Sequence, residues 1–126
     1  MTCRVLAVDD DLIILKLISA GLTRLGYQVV TASSGAEGLR LLAAEKFDLL
    51  TLDLMMPEVS GLDVLEYLSK TPAIGKLPVI VVSARGLAPE DMMRFKDLVR
   101  GELSKPFSIQ TLQTTVQNVI GGDTHD

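Results

Sequence analysis

The chain has 126 residues, 48% hydrophobic and 22% charged, enough for one domain with its own core and no disulfide or metal staple. Its net charge of -4 and pI near 4.9 argue against a nucleic-acid surface, which would be basic. One cysteine, Cys3, and one histidine, His125, provide neither an internal disulfide nor a Cys/His metal cluster, and no apolar run approaches the roughly 20 residues of a membrane span, so a soluble, unanchored, cytoplasmic domain is expected.

In chain order, Arg4 to Val8 is a short apolar run that stops at Asp9-Asp10-Asp11, which fits a strand buried on both faces. Leu12, Leu15, Ile18, Leu22 and Leu25 then recur at helical spacing, with Gly26 placed to close the helix. Tyr27 to Ala32 alternates more, as a strand nearer the sheet edge would. After Ser33-Ser34-Gly35, the spacing predicts a helix with Ala36, Leu39, Leu42 and Ala43 on one face. Asp48 to Leu54 is the third strand, and Pro57 to Gly61 a loop.

Leu62, Leu65 and Leu68 stripe a third helix, which Thr71-Pro72 and Gly75 to Pro78 interrupt. Val79 to Val82 is the most uniformly apolar strand, suited to a central place. Pro89 opens a helix at the favoured first position, with Glu90 and Asp91 complementing its dipole. Met92, Met93 and Phe95 on that helix are candidate contact residues, some of them core. A fifth strand can only lie at Gly101 to Ser104. Ser108 is placed to cap a last helix carrying Ile109, Leu112, Val116, Val119 and Ile120, which Gly121-Gly122 would end before a polar tail, Asp123 to Asp126.

Strands alternating with helices imply parallel units joined by right-handed crossovers, hence a three-layer αβα sandwich with its site at the carboxyl ends of the strands. Asp53, alone within Leu-Thr-Leu-Asp-Leu-Met-Met, either ends a strand as turn chemistry or is a reactive carboxylate delivered to the rim. Asp9, Asp10 and Asp11, Ser83 and Lys105 end other strands. Each has an ordinary reading as a helix cap, a strand-end hydroxyl or a solvated lysine; their coincidence at one edge favours chemistry. Clustered carboxylates call for a cation or a shifted pKa, and Mg²⁺ suits hard oxygen ligands. Such a pocket, with a hydroxyl and an ammonium beside it, is suited to accepting a phosphoryl group.

Val8-Asp9-Asp10-Asp11, Leu52-Asp53-Leu54-Met55-Met56-Pro57 with Gly61, Pro78 to Ala84, and Ser104-Lys105-Pro106-Phe107 together resemble the receiver domain of two-component response regulators, over residues 4 to 120. The resemblance implies a flavodoxin-like fold with a five-stranded parallel sheet of order 2-1-3-4-5, a receiver domain over residues 1–122 and a tail over 123–126. It implies that Asp53 is the phosphoacceptor, supplied by a histidine kinase or phosphotransfer protein. Mg²⁺ would be held by Asp10, Asp53 and the Met55 backbone carbonyl, with Asp9 acting indirectly. Ser83 would be the switch hydroxyl and Lys105 the phosphate-binding lysine.

Two departures matter. Three residues before Lys105 the family usually carries an aromatic, and here stands Glu102; Leu98 to Gly101 also departs from the usual run. Met55 and Arg85 are expected to flank the phosphoryl group and set its lifetime. The expected role is a switch read by an unknown partner or output domain, not a turnover enzyme, and either a stand-alone receiver or a module of a longer protein. The alternatives are a receiver-fold interaction module not regulated by phosphorylation, and an aspartyl-phosphate hydrolase, which commonly has a second carboxylate where Met55 stands. Nucleotide binding is disfavoured because no Gly-rich loop follows the first strand.

Overall fold

The computed structural model describes residues 3–74 and 76–124, with side chains as far as residue 121. Five strands, β1 (Arg4–Val8), β2 (Gln28–Ala32), β3 (Leu49–Asp53), β4 (Val79–Ser83) and β5 (Val99–Ser104), alternate with α1 (Leu12–Thr23), α2 (Gly35–Ala44), α3 (Gly61–Ser69), α4 (Pro89–Arg94) and α5 (Ile109–Thr124). A 3-10 turn at Pro72–Ile74 precedes β4. The strands pair in parallel in the order β2-β1-β3-β4-β5, the sandwich and topology expected from the sequence.

Helices on both faces explain the apolar runs. Every residue of β3 and β4 is buried, whereas edge strand β2 leaves Gln28 and Thr31 exposed. β4 is interior as expected, though β3 holds the middle. On one face Leu6, Leu50, Leu52, Val79 and Val81 meet Leu41, Leu42, Val64, Leu65 and Leu68 of α2 and α3, together with Phe95. On the other, Val5, Ala7, Leu49, Ile80 and Val82 meet Leu15, Ile18 and Leu22 of α1 and Leu112, Val116 and Val119 of α5. Gln113 Nε2 donates to the Gly21 carbonyl at 2.9 Å, pinning α5 to α1.

Several helix faces differ from the apolar pattern. Leu12, in the first turn of α1, is 62% exposed. α2 turns Gly35, Gly38, Leu41 and Leu42 inward and leaves Ala36 and Ala43 outside. A Cβ on Gly38 would come within 3.0 Å of Val8, so close approach at the glycines joins the burial of Leu41 and Leu42 in setting that face. In α3 Val64 takes the inward place expected of Leu62. Phe95 is core, Met92 packs partly against it and Met93 is exposed.

Element ends also differ. β5 begins at Val99, two residues early, because a register shift between Val79 and Ile80 lets Arg100 bulge and still pairs Gly101 with Ile80. α5 runs through Gly121 and Gly122 to Thr124, so the glycines do not stop it. Gly26 does close α1, with φ +88°. Gly75 and the end of the expected tail, His125 and Asp126, lie outside the described residues.

Candidate functional site

The triplet after β1 divides its labour. Asp11 is the N-cap of α1, its Oδ1 accepting from Ile13 N at 2.9 Å and Ile14 N at 3.4 Å. Asp9 is buried and its Oδ1 accepts from Asp11 N at 2.9 Å. Asp10 is exposed, and one carboxylate oxygen from each of Asp9, Asp10 and Asp53 lies within 4.8 Å of the others. Asp53 ends β3, 3% exposed, its Oδ1 accepting from Met55 N at 3.2 Å.

Lys105, delivered by the end of β5, answers this charge. Its Nζ stands 2.8 Å from Asp9 Oδ2 and 3.7 Å from Asp53 Oδ1. Burial draws the ammonium down, but Asp9, Asp53 and Asp11 outweigh it and raise its pKa. One ammonium does not balance the carboxylates, which at such separations repel by about 3–4 kcal/mol per pair at an effective dielectric near 20. Burial first, and then the Asp9 charge, push Asp53 up from an ordinary 3.8 to about 6, against the Met55 amide and Lys105. Asp9 Oδ2 is buried, with the Lys105 ammonium against it.

Ser83 ends β4 one residue beyond Val82, which pairs with Asp53. Its Oγ accepts from Arg85 N at 3.3 Å, and its carbonyl accepts from Lys105 N at 3.0 Å. Met55 is 65% exposed and Arg85 is exposed, both on loops at this rim. The topology thus brings Asp9, Asp10, Asp53, Ser83 and Lys105 to one edge. The roomiest cavity described, about 550 Å³ and lined by Phe47, Tyr67, Ile74 and Leu77 among others, lies at the opposite edge.

Close packing fixes the Asp53 loop. A Cβ on Gly61 would stand 2.4 Å from the Asp53 carbonyl oxygen, and Gly61 N donates to the Leu54 carbonyl at 3.1 Å. Sequence reasoning missed the contact that holds the loop after Ser83. Leu87 N donates to Glu102 Oε2 at 3.2 Å, and a Cβ on Gly86 would lie 2.9 Å from the same oxygen. The signal available in the sequence was a glycine in that loop with a carboxylate where an aromatic is usual.

The family model for the response regulator receiver domain matches residues 5–117. The chain belongs to the response regulator receiver family. Similar proteins include PilH of Pseudomonas aeruginosa, 30% identical over 94% of this chain and 98% of that one. Another is the probable transcriptional regulator ycf29 of Pyropia yezoensis, 34% identical over 98% of this chain and 55% of that one. Of other curated relatives the receiver spans 26% to 59%. Among solved structures, Vibrio cholerae CheY4 superposes with a TM-score of 0.84 at 31% identity, covering 94% of this chain and 99% of that one. Receivers generally bind Mg²⁺ at an acidic site and work with histidine kinases and output domains. The donor set here suits that ion: oxygen ligands only, with carboxylates in excess of cations. No helix described is long and apolar enough to cross a membrane.

Proposed function

We propose that the chain is the phosphoacceptor switch of a two-component phosphorelay in the cytoplasm, with Asp53 as the acceptor. What carries the reading is the meeting of Asp9, Asp10, Asp53 and Lys105 at one sheet edge. A lone pair on an Asp53 carboxylate oxygen forms the new bond to phosphorus. The P–N bond of a phosphohistidine donor breaks as it forms, and the imidazole nitrogen leaves with the electron pair. Lys105, already 3.7 Å from Asp53, neutralises charge on the phosphoryl oxygens. Ser83, whose hydroxyl proton the Arg85 amide does not use, donates it to the product.

Asp10, Asp53 and the Met55 carbonyl would hold Mg²⁺, with Asp9 supporting it indirectly; the ion supplies Lewis-acid neutralisation of the phosphoryl oxygens. Phosphorylation turns the Asp53 carboxylate into an acyl phosphate with about one more negative charge, and drawing Ser83 and Lys105 toward it shifts the loop after β4, changing the surface a partner or output domain reads. Inverting a population from mostly off to mostly on takes about 5 kcal/mol, within reach of a few charge-assisted hydrogen bonds. The chain accepts and loses its own phosphoryl group and is not a turnover enzyme.

Intact-mass spectrometry after incubation with Mg²⁺ and acetyl phosphate tests this. One phosphoryl adduct is expected on the wild type, and none on Asp53→Asn or without Mg²⁺. No adduct on the wild type would instead favour an interaction module that phosphorylation does not regulate.

A further inference from the structure

The loop Ala84–Ala88 has Ser83 at its root and α4 at its far end, and three attachments hold it. Leu87 packs its side chain against the core on the α2–α4 face. At the root, Arg85 N donates to Ser83 Oγ. Near the far end, Leu87 N donates to Glu102 Oε2, a side-chain bond spanning 15 residues that ties the loop to β5. Register places Glu102 beside Val81, two residues before Ser83 on the same face of the sheet. A void of about 40 Å³, lined by Ser83, Arg85, Gly86 and Glu102 among others, lies between the two attachments. The loop backbone at Gly86 rests so near the carboxylate that a side chain there would displace it.

We propose that Glu102 is a positioning residue: its carboxylate latches the β4–α4 loop in the conformation that keeps Ser83 on the Arg85 amide, and phosphorylation of Asp53 has to open that latch. The inference rests on the phosphoacceptor reading of Asp53. The Arg85 amide occupies only a lone pair of Ser83 Oγ and leaves the hydroxyl proton free, so drawing that hydroxyl toward a phosphoryl group on Asp53 pulls the loop root along with it. The Leu87 amide is the far point of that shift. The carboxylate therefore acts through the loop and touches no reacting atom.

The test compares Glu102→Ala, Glu102→Gln and Gly86→Ala. Glutamine keeps an acceptor oxygen; alanine does not; Gly86→Ala leaves Glu102 chemically intact and displaces it. Hydrogen exchange of the Leu87 amide, read by NMR on unphosphorylated protein, is expected to speed several-fold in Glu102→Ala and Gly86→Ala and to stay near wild type in Glu102→Gln. Phosphorylation by subsaturating acetyl phosphate with Mg²⁺ is expected to quicken about 3- to 10-fold in the same two variants, the range one hydrogen bond supports. The double variant should be no faster than either alone. Unchanged Leu87 exchange in Glu102→Ala, or unchanged phosphorylation despite faster exchange, overturns the latch. A wild type that takes no phosphoryl group overturns the phosphoacceptor reading and the latch's role with it, and is recognised without any variant.

Discussion

Asp53 keeps a proton to about pH 6 in the folded chain, because burial and the Asp9 charge disfavour its ionised form. In the unfolded chain it ionises near its ordinary 3.8. Between those values the folded state binds more protons, so metal-free stability falls as pH rises from about 4 to about 6 and stays lower above that. The full shift would be worth about 3 kcal/mol, and roughly 1–2 remain once water at the open rim is allowed for. Asp53→Asn removes the charge and keeps the shape. In EDTA its melting temperature should exceed wild type at pH 7.5 and converge with it near pH 4, by calorimetry at both values. A constant difference across that range would mean that Asp53 ionises in the fold as it does in water.

At the scale of elements, the turn from β3 into α3 decides where Asp53 points. Gly61 begins that helix against the Asp53 carbonyl, and Ser60 and Asp63 close a reciprocal capping box there. Gly61→Ala has no flexible partner to push aside, since the nearest atoms are backbone, so it should cost about 2–4 kcal/mol in denaturant unfolding and lower phosphorylation of the surviving fold. The same close approaches mark the limit of what the sequence disclosed. Strands were legible because a sheet covered on both faces demands uninterrupted apolar runs, their order only through the resemblance to receiver domains, and the site was legible because four strand ends carried its residues. Helix faces were less so. In α2 the backbone approach of Gly35 to Val59 and Gly38 to Val8 joined the burial of Leu41 and Leu42 in setting the rotation, and an apolar count is blind to glycine. The early start of β5 followed from a bulge at Arg100, and the Glu102–Leu87 bond from loop geometry; neither has a periodic signature.

For the whole molecule, the cost of the acidic edge is borne by the two cores that converge on it. β1, β3 and β5 bring Asp9, Asp53 and Lys105 together because their strands are fixed by burial far from the rim, leaving like charges nowhere to relax. The domain therefore holds a site that is under-neutralised without metal, and Lys105 is its internal counter-ion. Lys105→Ala should lower metal-free stability by about 1–3 kcal/mol, since Asp9 loses the cation 2.8 Å away. The same change removes the charge that competes with a divalent ion, so Mg²⁺ should bind the variant more tightly than the wild type. Saturating Mg²⁺ at about 100 times its dissociation constant stabilises a folded protein by about 2.7 kcal/mol, and the gain rises with affinity. The Mg²⁺-induced rise in melting temperature at a fixed ion concentration should thus be larger in Lys105→Ala than in wild type, although the variant starts lower. Equal shifts would show that Lys105 and the metal do not share the same carboxylates.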